Sequence, residues 1–461
     1  MRRTLALTLL LVLATRPASA SEPPTGNDSG SAGDKPVAAT PSEKKDAQPP
    51  VALARGKATG FFHVEQLDGV WWLIDPDGRA FFSKGVNYVS FTVDYSPALR
   101  YSPYQRAVEA KYGTAGKWAA AVATRMRGLG FNTVGPWSSA EMLNQGMPYA
   151  IMARLTEGSG ADWQKGKAAD VFAPAFEAGV RKRAQKVCAP HARDPLLVGY
   201  FTDNEMRWGR DWRAKTTLLE EFMNMPPSSP GRQAVVRVLR TKYGTVDAFN
   251  RAWGTKLRLL DDLSRIRALP MTNEAARDSE QAFQREYART YFRIARDAIR
   301  AADPNHMILG CRFAGYAPPD VAAALGQYAD VASINTYMPA APLKRLQALA
   351  DATRLPVLVS EFSFTAVDSG LPNKNSGETP LKTQAERATH YEAFVRALAK
   401  APYVVGFHWF QWADQPAAGR PDGSSSNFGI VNIKDEPWPA LAETMERVNP
   451  TLDALHAKSA R

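Results

Sequence analysis

The chain has 461 residues, 45% of them hydrophobic and 22% charged, a balance that supports a sizeable core and excludes a wholly disordered or collagen-like polymer. Its net charge of +11 comes from scattered Lys and Arg with no nucleic-acid-binding motif beside them, so solvated helix faces account for most of it. An acidic or sulfated glycan is the functional remainder of that charge, and nucleic acid is not an expected partner.

Arg2 and Arg3, the apolar run Leu5 to Ala14 and the small residues Ala18-Ser19-Ala20 read as a cleavable export signal over residues 1–20. Its removal takes Arg2, Arg3 and Arg16 with it and leaves a net charge of +8. No later run approaches the roughly 20 apolar residues of a membrane span, so the mature chain is expected to stay out of the bilayer, periplasmic or secreted. Residues 21–55 are rich in Ser, Pro, Ala, Gly, Asp and Lys, bury too little surface to offset ordering entropy, and read as a disordered linker. Residues 56–461 form the expected catalytic domain.

That domain opens with a hairpin: Val70 to Ile74, a turn at Asp75-Pro76-Asp77-Gly78, then Ala80 to Phe82, expected to cover the closed end of a barrel. Eight apolar runs come next: Phe81 to Ser90, Phe131 to Trp137, Tyr149 to Leu155, Leu196 to Asp203, Met307 to Phe313, Val331 to Tyr337, Pro356 to Phe364 and Val404 to Trp412. Helical patterns separate them, among them Lys117 to Leu129, Pro174 to Val187, Glu280 to Ala301, Thr383 to Ala399 and Trp438 to Val448. Strict alternation of strand and helix implies parallel strands with crossover helices, and eight such units predict an α/β fold, a closed (β/α)8 TIM barrel. The stretch from Glu205 to Glu280 exceeds a simple strand-to-helix connection and predicts a helical insertion after strand 4. Cys188 and Cys311, the two cysteines, are too few for a disulfide framework or a Cys-based zinc site, and each reads as a buried free thiol, with a bridge between them in an oxidising compartment as the alternative. The six His residues do not make a metal site by spacing, and His408 reads as a packed structural histidine.

Two carboxylates carry the chemistry. Glu205 ends the fourth run and Glu361 lies near the end of the seventh, and in a parallel barrel those ends share one face. Paired acids at that face fit glycoside hydrolysis, in which one group protonates the leaving oxygen and another meets the oxocarbenium-like carbon. Straight alternation points Phe201, Asp203 and Glu205 to one side, so Asp203 is expected to raise the pKa of Glu205 by like-charge repulsion or to cap the next turn, while an Arg or Tyr donor would keep Glu361 ionised. Trp208 and Trp212 follow the acid and could stack on sugars or pack inward.

The pattern of Asn204-Glu205 on the fourth strand and Glu361 on the seventh resembles the clan A retaining glycoside hydrolases. Gly199 to Glu205, Trp71 to Gly78, Phe82 to Asn87 and His408-Trp409-Phe410-Gln411-Trp412 look like the β-agarases of glycoside hydrolase family 50, a likeness that spans Phe61 to Pro450. The resemblance implies Glu205 as acid/base, Glu361 as nucleophile, Asn204 as a partner of the sugar 2-hydroxyl, Tyr337 as the residue orienting the nucleophile and Trp409 as the aromatic floor of the cleaved sugar's subsite. Asn87, Trp137 and Arg312, ending strands one, two and five, are further candidates for substrate binding. No cofactor or metal is called for. The expected substrate is a β-linked galactan of the agar type, as polymer or oligosaccharide. Agarases of this family often carry an N-terminal carbohydrate-binding-like domain that residues 21–55 cannot form, so a soluble oligosaccharide is a rival substrate. The alternatives are a β-galactosidase, β-glucanase or β-mannanase of the same clan, or a barrel that binds glycans without cutting them.

Overall fold

The computed structural model describes residues 54–266 and 268–460. The signal segment and residues 21–53 of the linker lie outside the described residues. Ala54 and Arg55 already belong to the fold: Ala80 donates its N–H to the Ala54 carbonyl at 3.1 Å and Arg55 bridges Arg79 in antiparallel fashion.

β1 (His63–Leu67), β2 (Val70–Ile74) and β3 (Ala80–Phe81) form an antiparallel sheet in that order. The β2–β3 turn is closed by Asp75, whose Oδ1 accepts the N–H groups of Asp77 and Arg79 at 3.0 and 2.8 Å. Phe62 and Leu73 of this segment share a buried cluster with Val198, Leu309, Leu358 and Val405 of the barrel strands, so the small sheet packs on the interior of the large one.

The large sheet is parallel. Its strands are β4 (Ser83–Val86), β5 (Thr133–Val134), β6 (Tyr149–Met152), β7 (Leu197–Phe201), β8 (Met307–Ile308), β9 (Phe313–Ala314), β10 (Ala332–Asn335), β11 (Val357–Phe362) and β12 (Val404–Trp409). They run β8-β7-β6-β5-β4-β12-β11-β10-β9, and the two ends of that order are neighbours along the chain. The fifth predicted strand is therefore one run broken in two. Gly310 at φ +81° and Arg312 at φ +52° take it out of extended geometry. Its first half pairs with β7 and its second with β10, while Thr202 N–H reaches the Gly310 carbonyl at 2.9 Å across the break. Counted this way the sheet is the eight-stranded (β/α)8 barrel.

Helices surround it, and their buried stripes meet the outward faces of the strands in one continuous apolar layer. The insertion after β7 contains helices Leu218–Met223, Pro230–Tyr243 and Val246–Trp253, packed on the 29-residue crossover helix Glu274–Ala302. Cys188 and Cys311 are both buried and unpaired, and burial pushes both thiols up, Cys188 to about 12.

Two register shifts decide which side chains face inward. Between β10 and β11, Ile334 pairs with Val359 but Asn335 pairs with Glu361, so Ser360 is an extra, bulged residue. The β11–β12 ladder also slips, between Val357 and Leu358 and again between Val359 and Phe362. Inside the barrel, His408 occupies the space left by Gly85, where a Cβ would sit 2.3 Å from the imidazole. Its Nε2 lies 3.0 Å from Ser83 Oγ, and burial, with the charge of Arg312, pushes the imidazole down to about 3.

Candidate active site

Glu205 and Glu361 meet at the C-terminal ends of β7 and β11. A single amide joins them: Asn335 Nδ2 donates to Glu205 Oε1 at 3.0 Å and to Glu361 Oε2 at 3.4 Å. Two legs of 3.0 and 3.4 Å from one nitrogen cap the separation of those oxygens at about 6.4 Å, their sum. Glu361 is 7% exposed, whereas Glu205, Asn204 and Tyr337 are partly exposed, so the pair opens to solvent on one side.

The two acids have different surroundings. Glu361 receives Tyr337 Oη at 2.6 Å on Oε1 and an Arg312 guanidinium nitrogen on Oε2. Glu205 has one side-chain donor, Asn335, and its backbone sits in the left-handed region at φ +49°, strained for a residue with a Cβ. Burial, followed by the charge of Glu361, pushes the Glu205 carboxyl up to about 7, against the Asn335 hydrogen bond and the charges of Arg312 and Arg213.

Arg312 is fully buried and each of its three guanidinium nitrogens is engaged. It donates Nε to Asn204 Oδ1 at 2.7 Å, Nη1 to the Ser360 carbonyl at 3.0 Å and Nη2 to Glu361. Its guanidinium lies 4.5 Å from the Trp137 ring centre and 5.1 Å from that of Phe201. Asn87 is also fully buried and donates Nδ2 to the same Ser360 carbonyl at 2.9 Å. The bulge at Ser360 frees that carbonyl, and two side chains hold it. Arg312 and Asn87, expected to bind substrate, instead position the backbone beside Glu361.

Two further expectations are corrected. Trp409 does not floor the site: it is 0% exposed, gives its indole N–H to the Phe428 carbonyl at 2.9 Å and packs edge-on against Phe362 and Tyr391 in the layer beneath helix Gln384–Ala399. The slipped β11–β12 register turns His408 inward and Trp409 outward. Asp203 does not face Glu205: its carboxylate binds Thr156 Oγ1 at 2.7 Å and Tyr291 Oη at 2.6 Å, because β7 ends at Phe201 and alternation stops there. Burial pushes Asp203 itself up to about 6, and the charge acting on Glu205 is that of Glu361. Trp208 is buried and stacks on Phe292, while Trp212 is exposed.

Of the expected binding residues, Trp137 and Asn204 remain at the opening. The Asn204 carbonyl oxygen is taken by Arg312 and by Asn335 at 3.2 Å, which leaves its amide NH2 as donor. Three aromatic residues that the strand count did not single out complete the wall. Tyr88 lies 5.9 Å from Trp137 and 6.1 Å from Phe410, Phe410 lies 5.4 Å from Phe428, and Phe428 lies 5.8 Å from Tyr337. Asn335 was also missed, although it ends β10 two residues before Tyr337 in the same apolar run. Among the described residues no group of three or more His, Cys, Asp or Glu is placed to hold a metal ion, and no helix is long and apolar enough to cross a membrane.

Comparison with known proteins gives the family and the fold. A family model described as β-galactosidase (Glyco_hydro_42) matches residues 148–394. β-Agarase B of Vibrio sp. (strain JT0107) is 28% identical over 87% of this chain and 49% of its own length, and β-agarase A of the same strain is 27% identical over 88% and 47%. The chain thus spans about half the length of the curated relatives it matches. A solved exo-β-agarase superposes with a TM-score of 0.80 at 27% identity, covering 88% of this chain and 66% of that one.

Proposed function

The chain belongs to the clan A glycoside hydrolases, in the family whose model is described as β-galactosidase, and from that premise we propose that it is an exported retaining β-glycosidase hydrolysing agar-type β-linked galactan by double displacement. The observation that carries the reading is the Asn335 amide held between two carboxylates. An oxygen separation of at most about 6.4 Å fits the roughly 5–5.5 Å of retaining enzymes better than the wider gap that admits a water in inverting ones. The agar-type substrate rests on the β-agarase relatives, and export rests on the sequence of residues 1–20.

The surroundings of each acid support its role. Glu205, raised to about 7 by burial and by Glu361, can hold a proton near neutrality and give it to the glycosidic oxygen. As that C–O bond breaks, a Glu361 oxygen bonds to the anomeric carbon, forming a glycosyl ester and leaving Glu205 as a carboxylate. A water then gives its proton to Glu205 while its oxygen attacks the anomeric carbon. The ester bond breaks, Glu361 returns as a carboxylate and the sugar leaves with its configuration retained. Tyr337 and Arg312 hold the two oxygens of Glu361 in line for attack. The free amide of Asn204 is placed to meet the sugar 2-hydroxyl, and the wall from Trp137 to Tyr337 offers apolar faces to the ring.

The test is product release from agarose, agaro-oligosaccharides, β-galactan, β-glucan and β-mannan by the wild type and by Glu205→Gln and Glu361→Gln. Release from agar-type substrates, lost in both variants, with the first-formed product keeping its anomeric configuration by NMR, is the expected result. A first-formed product of opposite configuration would sink the double displacement. The description of the matched family favours one second reading, a β-galactosidase acting on short β-galactosides, which would leave agarose untouched while turning those over.

A further inference from the structure

Trp163 and Trp212 stand 45% and 59% exposed, and each carries a large apolar face that the fold leaves in water. They are presented by the segments after β6 and β7, on the face that carries Glu205. Their ring centres are 6.5 Å apart with planes at 70°, so together they form a corner.

The corner is built rather than accidental. Arg213 lies against both rings, its guanidinium carbon 4.3 Å from the centre of Trp212 and 5.1 Å from that of Trp163. Arg213 is itself locked by two bonds to Asp211 Oδ2 at 2.6 and 3.0 Å, and it reaches the Trp163 carbonyl at 3.4 Å. Trp163 sits in a tight turn closed by antiparallel bridging of Asp162 with Lys167. At the end of that turn Gly166, at φ +62°, lies so close to Arg213 that a Cβ would sit 2.8 Å from the arginine's own. One cation shared by both rings, two interlocked loops and two half-exposed indoles are the parts of a preorganised stacking site. Arg213 is also near enough for its charge to act on the Glu205 carboxyl.

We infer that Trp163 and Trp212 form an aromatic subsite for sugar units on the leaving-group side of the cleaved bond. The side follows from the chemistry of Glu205: the acid faces the departing oxygen, and this corner lies on the loops around the acid, whereas the Tyr337–Phe428 wall stands beside Glu361. The ligand is the neutral, C–H-rich face of a pyranose ring in a chain extending past the cleavage point. The inference rests on the glycosidase reading of the same site.

The experiment compares kcat/KM for agaro-oligosaccharides of increasing length with that for a glycosyl fluoride carrying the same non-reducing sugars but only fluoride as leaving group. In Trp212→Ala and Trp163→Ala, the long substrates are expected to lose about tenfold more than the fluoride does, the worth of one aromatic contact. Trp212→Phe is expected to recover most of that difference, and thermal unfolding checks that each variant folds. An equal fall on both substrate types would overturn the subsite, as would no fall on the long ones. A wild type that cleaves neither substrate defeats the glycosidase reading itself, and the subsite falls with it, an outcome visible before any variant is made.

Discussion

Replacing Arg312 with Lys separates two roles that the sequence alone confuses. Arg312 is 0% exposed and engages each of its three guanidinium nitrogens, with Asn204, Ser360 and Glu361, so burial keeps it out of a sugar's reach. A Lys keeps the charge but offers one nitrogen where the fork presents three, and it cannot span three acceptors spread over two strand ends. The loss that matters is the charge-assisted bond to Glu361, worth about 1.5–3 kcal/mol. If that bond aligns the nucleophile in the transition state, the same energy appears in the barrel's chemistry as a fall in kcat of about 10- to 150-fold. KM should move little, because the ground-state sugar never touches this side chain. The assay is steady-state kinetics on an agaro-oligosaccharide, with thermal unfolding alongside to discount misfolding. A raised KM with unchanged kcat would refute the positioning argument and restore Arg312 to substrate binding.

Tyr337→Phe removes the 2.6 Å bond to Glu361 Oε1 and is expected to lower kcat by a similar factor, about 10- to 150-fold, in the same kinetic assay. The raised Glu205 carboxyl predicts an alkaline limb in the pH profile of kcat/KM centred near 7, absent when the leaving group is an activated phenol that needs no proton. Its folded pKa is raised, so this group's contribution to stability is fully present below the unfolded carboxyl range and is lost as pH rises through about 7. Glu205→Gln should therefore gain melting temperature over the wild type at pH 8 and show least gain near pH 4, measured by calorimetry. Trp409→Ala should cost about 3–5 kcal/mol in denaturant unfolding, the penalty of an emptied aromatic site in the barrel-to-helix layer.

The barrel was legible because it depends on apolar periodicity, which survives in a single sequence. Helix Pro174–Val187 begins and ends where its pattern does, and helix Gln384–Ala399 starts one residue after its Thr383 cap. The fifth strand read as continuous because Gly310 and Arg312 break it by backbone conformation rather than by polarity. Glu205 and Glu361 could be named because each ends an apolar run, and a strand end fixes a position without any count of alternation. Side-chain direction could not be counted so simply. The extra residue at Ser360 and the slips between β11 and β12 reverse parity midway, so no count of alternation could test the place that the family resemblance gave Trp409. Asp203 failed for a related reason: once β7 ends at Phe201, the next residues follow a turn and not a pleat.

The bulge that defeats the count is also what makes the site. Without Ser360 as an extra residue, Glu361 would fall one place out of register with Asn335, and the amide could not lie between the two acids. The freed Ser360 carbonyl gives Asn87 and Arg312 a shared acceptor, so β4 and the broken fifth strand both grip β11 at the residue before Glu361. Arg312 can reach there because its backbone at φ +52° throws the side chain across the barrel, and the same distortion offers its carbonyl to the Glu205 N–H at 3.1 Å. The departures from regular β geometry at residues 205, 312 and 360 thus form one linked device. It surrounds Glu361 with donors and leaves Glu205 with a single amide and a neighbouring charge. Of two identical side chains on one barrel face, Glu205 is thereby pushed up to about 7 while Glu361 is ringed by donors, the asymmetry that the proposed double displacement requires.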